Sequence, residues 1–232
     1  RDTAFSGFGE LVRDPATGEP TGGLKEGAMA LVSAHVPAPT REQRLAAIRE
    51  GLVVAAALGL TSLHNASGSP EEVGLYEELL ARGELSARLL FALSAGRDAN
   101  PCAAWQPLRE RLAGPWVRVP AVKFMVDGVI ESHTAAMLEP YADKPGERGQ
   151  LALDPETYRQ ALADCAARGF QPWTHAIGDA GVRLALDAYQ ALGRPDLRPR
   201  VEHIEVVSIA DLPRFGALGV IASMQPIHAY PS

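Results

Sequence analysis

The fold is decided by residues 169–179, which read Gly-Phe-Gln-Pro-Trp-Thr-His-Ala-Ile-Gly-Asp. The aromatic and β-branched start of this stretch predicts a buried strand, and His175 lies at its end. Gly178 allows a tight turn, and Asp179 is predicted to N-cap a helix from Ala180 to Leu192. In a parallel α/β fold, the order strand, polar residue, turn, helix places His175 at the carboxyl end of its strand, where such folds build active sites.

The same order of features recurs twice. Residues 200–207 form a strand-like run that carries His203, and residues 119–128 form an apolar run that carries Lys123. A lysine on a buried strand is costly unless it is neutralised, paired or chemically modified. Three predicted strands therefore each carry one polar side chain of a type that can serve a metal site.

The rest of the chain repeats the phrase helix, glycine, strand. It occurs at Gly59, Gly83, Gly169 and Gly219, and this repetition predicts βα units and a parallel sheet. We count six such strands, so the predicted fold class is α/β, a TIM-type (β/α)₈ barrel that is incomplete. Residues 1–39 are rich in turns and are expected to form a surface excursion, and residues 40–232 are expected to form the partial barrel that carries catalysis.

Composition excludes several classes of protein. Hydrophobic residues make up 47% and charged residues 22% of the 232 residues, which is typical of a soluble globular protein. The net charge of −6, with no cluster of Lys and Arg, argues against a nucleic-acid partner, and no apolar run is long enough to span a membrane. The two cysteines, Cys102 and Cys165, match no zinc-binding spacing, so we expect a reducing, cytoplasmic compartment and no disulfide framework.

Lys123, His175 and His203 form a candidate metal site, because each lies toward the carboxyl end of its strand. Neutral imidazoles are good ligands for zinc and similar ions. A lysine carbamate, formed with carbon dioxide, would present a carboxylate that can bridge two metals, and such a pair activates water for hydrolysis. The alternative is that both histidines are core residues with satisfied hydrogen bonds and that Lys123 pairs with a neighbouring carboxylate such as Asp127. The coincidence of three such residues on equivalent strands favours the metal site.

The sequence also resembles the metal-dependent amidohydrolases of family 3, the branch that includes N-substituted formamide deformylases. The motifs that carry the resemblance are Val122–Ala136, His175–Asp179, Glu202-His203 and Ala222–His228. The resemblance implies a (β/α)₈ barrel with a flanking β-sandwich. It also places the family's metal-binding lysine on Lys123 and the family's two barrel histidines on His175 and His203.

The sequence departs from the family at both ends of the barrel. The family begins its barrel with a His-x-His pair and closes its metal site with an Asp on the last strand, which also transfers protons. Neither feature occurs in these 232 residues. We therefore expect the sequence to be the middle of a family member, with the general-base Asp beyond Ser232.

Five further residues are candidates for substrate binding. His64 ends a predicted strand, Glu131 and His133 lie on the long loop 128–150, and Gln225 and His228 close the last strand. Loops of this length in a compact domain are usually lids or binding loops. For each residue a purely structural or solvated position is the alternative.

The predicted function is metal-dependent hydrolysis of a non-peptide C–N bond, in an amide or formamide, by a metal-activated hydroxide. The expected cofactor is one or two divalent ions, zinc first. The expected partner is a small amide-type substrate, and self-association is expected to cover the open edges of an incomplete barrel. Two alternatives stay open: an incomplete barrel with a binding or regulatory role, and the same metal site used for deamination or for ester or lactone hydrolysis.

Overall fold

The computed structural model describes residues 4–96 and 102–229. The strands are β1 (Gly9–Arg13), β2 (Pro20–Glu26), β3 (Ser62–Gly68), β4 (Arg88–Ser94), β5 (Val117–Met125), β6 (Gln171–Ala176), β7 (Arg200–His203) and β8 (Ile221–Ser223). The helices are α1 (Ala30–Ser33), α2 (Arg41–Ala57), α3 (Pro70–Ala81), α4 (Cys102–Arg111), α5 (Pro155–Ala167), α6 (Asp179–Leu192) and α7 (Leu212–Leu218).

Strands β3 to β8 form one parallel sheet in the order of the chain. A helix, α3 to α7 in turn, lies between each successive pair of these strands, as parallel neighbours need a crossover connection. This arrangement confirms the predicted α/β class and the incomplete barrel of six strands. The register pairs Lys123 with Trp173, Met125 with His175, and Ala176 with His203, so the carboxyl ends of β5, β6 and β7 meet at one edge of the sheet.

The helices begin where local side chains can satisfy their first N–H groups. Thr40 and Ser69 form capping boxes at α2 and α3, and the Asp154 carboxylate accepts hydrogen bonds from the backbone at the start of α5. Gly193 and Gly219 end α6 and α7 in the left-handed conformation. None of the helices within residues 4–96 and 102–229 is long and apolar enough to cross a membrane.

The two faces of the sheet differ in their packing. Helices cover the outer face, where Phe91, Phe124 and other strand side chains join helical residues such as Tyr158 in the main hydrophobic core. The inner face carries a separate small cluster of Ala92, Ala121 and Trp173. Side chains alternate along a strand, so the inner and outer faces receive different residues of β6.

Cys102 and Cys165 form a disulfide bond, so the expectation of two unpaired cysteines was wrong. Their Cα atoms lie 5.3 Å apart, and both residues are fully buried. The bond joins the start of α4 to α5, and these helices pack against each other on the outer face. A separation of 63 positions in the sequence concealed this pairing, because only the packing of the two helices brings the sulfur atoms together.

The segment before α2 contains an antiparallel hairpin of β1 and β2, which the turn-rich sequence did not predict. The Asp14 carboxylate accepts hydrogen bonds from the N–H groups of Ala16 and Thr17 and forms the turn between the strands. The hairpin contacts the loop that follows β5, because Thr134 Oγ1 donates a 2.8 Å hydrogen bond to Glu26 Oε1.

Candidate functional site

His175 lies next to the end of β6 and is buried. Its Nε2 atom is 2.9 Å from the carbonyl oxygen of Gly128 and 3.5 Å from Asp127 Oδ1. Burial lowers the pKa of His175 to about 4, so the ring is neutral at pH 7. A carbonyl oxygen can only accept, so Nε2 carries the proton and Nδ1 keeps its lone pair.

His203 ends β7 with a change of backbone direction. It is the register partner of Ala176, which packs in the outer core, so strict alternation would place His203 on that face. Instead, φ is 77° at His203 and 56° at Ile204. The imidazole consequently packs against that of His175, with 4.7 Å between the ring centroids. The left-handed backbone at a non-glycine residue is a local strain of the kind that functional sites carry.

The Nε2 nitrogen of His203 can also bind a ligand. Its Nδ1 atom lies 2.8 Å from Gln225 Oε1, so Nδ1 donates and Nε2 keeps its lone pair. Burial lowers the pKa of His203, which favours the neutral ring. Within the part of the chain that the structure describes, each of the two adjacent imidazoles therefore has one nitrogen fixed by a hydrogen bond and one without a partner, which can bind a ligand.

Lys123 is 4% exposed, and its amine makes no hydrogen bond or ion pair with any other residue that the structure describes. Burial lowers the pKa of Lys123 to about 8; the Glu202 carboxylate opposes this effect and the Arg200 guanidinium adds to it. The alternative in which Lys123 pairs with Asp127 is wrong. The Asp127 carboxylate instead accepts hydrogen bonds from the backbone. We call Lys123, His175 and His203 the open group.

A second set of polar side chains, on β7 and β8, is paired within itself. Arg200 donates to both oxygens of Glu202, at 2.8 and 3.1 Å, and to Ser223 Oγ at 2.7 Å. Its guanidinium also lies 3.7 Å from the centroid of the Trp173 ring, a close cation–π contact. We call Arg200, Glu202 and Ser223 the paired group. Sequence reasoning quoted Glu202 and Ser223 within motifs but gave none of the three residues a role, although a charged residue inside a predicted strand was a usable signal.

His64 lies on β3 and contacts Trp173 and Arg200. Its ring centroid is 5.3 Å from that of Trp173, and its Nδ1 atom is 3.4 Å from Arg200. Burial is the main cause that lowers the pKa of His64, and the Arg200 charge acts in the same direction. The Trp173 Nε1 atom is buried, and none of the described residues accepts a hydrogen bond from it.

Glu131 and His133 lie on the loop that follows β5. Glu131 is exposed, whereas His133 pairs with Asp143 at 2.9 Å and packs edge-on against Tyr141. His133 also lines a polar cleft of about 320 Å³ between this loop and the β1–β2 hairpin. Lys123, His175 and His203 do not line that cleft.

Gln225 and His228 lie beside His203. Gln225 Oε1 accepts a hydrogen bond from His203 Nδ1, and the His228 ring stacks on that of His203 with 5.9 Å between the ring centroids. His228 Nδ1 lies 3.0 Å from Glu205 Oε1. The structure thus brings Gln225 and His228 to the open group. Glu205 was missed because it lay inside the predicted strand 200–207, whereas the observed strand ends at His203.

Asp127 is the principal site residue that sequence reasoning left without a role. It is 1% exposed, and its carboxylate accepts from the N–H groups of Ile177, Gly178 and Ala136. Burial raises the pKa of Asp127 to about 7, against the lowering effect of these three donors. Asp179 is not the N-cap that the sequence predicted: Gly178 is the N-cap, and Asp179 Oδ1 accepts from Leu138 N.

The donor set is small. Residues 4–96 and 102–229 contain no group of three or more His, Cys, Asp or Glu side chains that could hold a metal ion. The open group offers two imidazole nitrogens and, only after chemical modification, a third ligand from Lys123. In that limited sense the residues present fit part of a metal site.

Comparison with known sequences identifies a family. The sequence model of the amidohydrolase family matches residues 1–231. The chain is 29% identical to the putative amidohydrolase YtcJ of Bacillus subtilis over 97% of its own length and 43% of that protein. It is 28% identical to the protein LONG AFTER FAR-RED 3 of Arabidopsis thaliana, over 95% of this chain and 40% of the relative. The chain thus spans less than half the length of these relatives.

Solved structures give the same relationship. An uncharacterized metal-dependent hydrolase from Pyrococcus furiosus is 26% identical and superposes with a TM-score of 0.74, over 88% of this chain and 42% of that one. A metal-dependent hydrolase from Pyrococcus horikoshii, 24% identical, shares the fold with a TM-score of 0.74, over 93% of this chain and 44% of that one.

Proposed function

The chain belongs to the amidohydrolase family, and from this premise we propose that it forms part of a metal-dependent hydrolase that cleaves a non-peptide C–N bond, in an amide or formamide. The family match and the metal-dependent hydrolase from Pyrococcus furiosus support hydrolysis with a divalent ion. The C–N bond and the formamide-type substrate rest on the motifs around Lys123, His175 and His203.

The arrangement of the two imidazoles carries the proposal. His175 and His203 come from adjacent strands, their rings are 4.7 Å apart, and burial keeps both neutral. His175 would bind through Nδ1 and His203 through Nε2, because the other nitrogen of each ring is held by an acceptor. Zinc is the ion we expect first, as one or two ions.

Lys123 would supply the remaining protein ligand after it reacts with carbon dioxide. The neutral amine attacks the carbon of carbon dioxide, a C–N bond forms, and the amine loses a proton to give a carbamate. A pKa of about 8 leaves about a tenth of the amine neutral at pH 7, about 300 times more than a lysine with the ordinary pKa. None of the carboxylates that the structure describes forms an ion pair with Lys123, so none holds the amine in its protonated form.

A bound divalent ion would lower the pKa of a water molecule toward neutrality and polarise the scissile carbonyl. The chain's own residues would position the substrate. Gln225 and His228 contact His203. The carboxylate of the exposed Glu131 helps to raise the pKa of Glu205. Protons would be transferred by an Asp outside these 232 residues, as the family resemblance implies.

The first experiment measures zinc binding and lysine modification together. Equilibrium dialysis of the 232-residue chain should show zinc binding that is at least about tenfold weaker in His175→Ala and in His203→Ala. With ¹³C-labelled bicarbonate, NMR should show a carbamate resonance that disappears in Lys123→Arg. The sequence has three lysines, so Lys144→Arg, which alters an exposed lysine, is the matched control.

A panel of formamides, amides, esters and lactones then tests the reaction. We expect the C–N substrates to be hydrolysed faster than the esters and lactones. A chain that binds no zinc and forms no carbamate would contradict the proposed metal site. A preference for esters or lactones would contradict the proposed substrate class, and zinc binding without any hydrolysis would favour the binding or regulatory alternative.

A further inference from the structure

The feature that carries a further inference is the buried carboxylate of Asp127, which joins three segments of the chain. Its Oδ1 atom accepts from Ile177 N at 3.0 Å, and its Oδ2 atom accepts from Gly178 N at 2.8 Å and from Ala136 N at 3.1 Å. Within the described residues, no Lys or Arg pairs with it. The carboxylate therefore connects the end of β5, the turn between β6 and α6, and the loop after β5.

At positions 178 and 181, the packing around this carboxylate leaves no room for a side chain. A Cβ atom at Gly181 would lie 2.6 Å from Asp127 Oδ2, and a Cβ atom at Gly178 would overlap the Ala136 carbonyl. The Ala136 carbonyl in turn accepts from Ala180 N at 3.0 Å. The backbone approaches Asp127 this closely because both glycines lack a side chain.

The Gly128 carbonyl that His175 uses is held just as firmly. Gly128 N donates to Thr134 O at 3.2 Å, and Val129 N donates to Thr134 Oγ1 at 3.0 Å. A Cβ atom at Gly128 would overlap Thr134. The position of this carbonyl is thus set by a tight closed loop, and the loop begins directly after Asp127.

Both acceptors face the same nitrogen of His175. Gly128 O lies 2.9 Å and Asp127 Oδ1 lies 3.5 Å from Nε2. The opposite tautomer would turn a lone pair toward these two oxygens and leave the Gly128 carbonyl without its buried donor, at a cost of about 1–3 kcal/mol. Carboxylates and carbonyls fix metal-binding histidines in this way in many proteins.

We propose that Asp127 is a positioning residue that, together with the Gly128 carbonyl, holds His175 in the Nε2–H form so that Nδ1 is the nitrogen offered to a metal ion. It acts through hydrogen bonds to the turn that follows His175 and through the oxygen beside Nε2. The metal-binding part of this inference rests on the proposed function, whereas the tautomer does not.

The direct test is ¹⁵N NMR of the chain with ¹⁵N-labelled histidine at pH 8. The sequence has six histidines, and His175→Gln identifies the resonances of His175 by their loss. We expect a protonated Nε2 and an unprotonated Nδ1 in the unmodified chain. A protonated Nδ1 would overturn the proposal, and this measurement depends on no Asp127 variant.

Asp127→Asn is the informative substitution, because the amide keeps one acceptor oxygen but turns an NH₂ group toward a backbone donor. We expect mixed His175 tautomers and zinc binding about 10–100-fold weaker. The matched control is Asp179→Asn: Leu138 N, in the loop after β5, donates a 2.8 Å hydrogen bond to Asp179 Oδ1, and this carboxylate forms no described hydrogen bond with His175. Unchanged tautomers in Asp127→Asn, or the same loss of zinc binding in Asp179→Asn, would overturn the proposal.

The outcomes separate this inference from the proposed function. If the unmodified chain binds no zinc but shows the Nε2–H form, and Asp127→Asn alone disturbs it, the metal function fails and the positioning role stands. If zinc binds and the tautomer is the opposite one, the positioning role fails and the metal function stands. A variant that does not fold leaves the tautomer of the unmodified chain as the deciding result.

Discussion

The open group on β5, β6 and β7 and the paired group on β7 and β8 belong to the same sheet, yet they use their polar atoms in opposite ways. In the paired group, the Arg200 guanidinium donates hydrogen bonds to Glu202 and Ser223 and packs on the face of Trp173. In the open group, the Lys123 amine has no partner among the described residues, and two imidazole nitrogens keep free lone pairs. A protein interior normally pairs such groups, so the unpaired set is where an external ligand is expected.

The comparison also shows how one group enables the other. Glu202 is the carboxylate that most strongly opposes the lowered pKa of Lys123, but both of its oxygens are engaged by Arg200. The paired group thus stabilises the sheet. Because Arg200 engages both oxygens of Glu202, this carboxylate does not form an ion pair with Lys123. Three predictions test this division, in order of decreasing effect.

Removal of the negative partner should cause the largest effect. Glu202→Gln leaves Arg200 as an uncompensated charge that is largely buried, so the free energy of unfolding should fall by about 3–5 kcal/mol in urea denaturation. The control is Glu71→Gln, whose partner is Arg44 at the exposed surface, and it should cost less than about 1 kcal/mol. Equal effects of the two substitutions would show that the paired group is not structural.

Lys123→Met should instead raise the free energy of unfolding. The folded-state pKa of about 8 lies below that of the unfolded chain, so the protonated amine destabilises the fold below pH 8, and the penalty disappears as the pH rises from 8 toward 10.5. Lys123→Met should therefore unfold with a free energy higher by on the order of 3 kcal/mol at pH 7. Urea denaturation at pH 7 and pH 10 checks this, since the advantage of the variant should shrink at the higher pH. An advantage independent of pH would contradict the assigned cause.

Backbone strain at the open group should give the smallest effect. At His203, where φ is 77°, a glycine should be more stable than an alanine by about 1 kcal/mol, because only glycine adopts this conformation without a Cβ penalty. At His175, inside a regular strand, the order should reverse, with alanine the more stable by about 0.5–1 kcal/mol. Thermal denaturation of the four variants compares the two positions directly. The same order at both positions would mean that His203 is not strained.

Much of the sheet could be predicted from the sequence because its signals are local. The glycines that end helices before β3, β4, β6 and β8 all adopt positive φ, as the phrase helix, glycine, strand requires. The capping box of Thr40 and Gln43 is another local signal, since a Thr followed three residues later by a Gln marks the start of a helix. The strand at residues 200–207 was predicted too long, because the turn at His203 and Ile204 violates the usual residue preferences for left-handed backbone.

The parts that escaped prediction depend on contacts between distant segments. Cys102 and Cys165 meet only because two helices pack together. Asp127 had no local pattern to distinguish a turn residue from a buried acceptor for the backbone of residues 136, 177 and 178. The β1–β2 hairpin has a sequence of turn formers, and its pairing appears only in three dimensions.

Trp173 makes the site observable without any label. The sequence has three tryptophans, and Trp173 is 1% exposed, whereas Trp116 is 42% exposed. Its indole lies under the Arg200 guanidinium, and Trp173 is the register partner of Lys123 on the neighbouring strand. Conversion of the neighbouring lysine from a cation to an anion would reverse the sign of a charge beside a chromophore that water cannot reach. Intrinsic fluorescence can therefore follow that chemistry in real time, with Trp173→Phe as the silent reference.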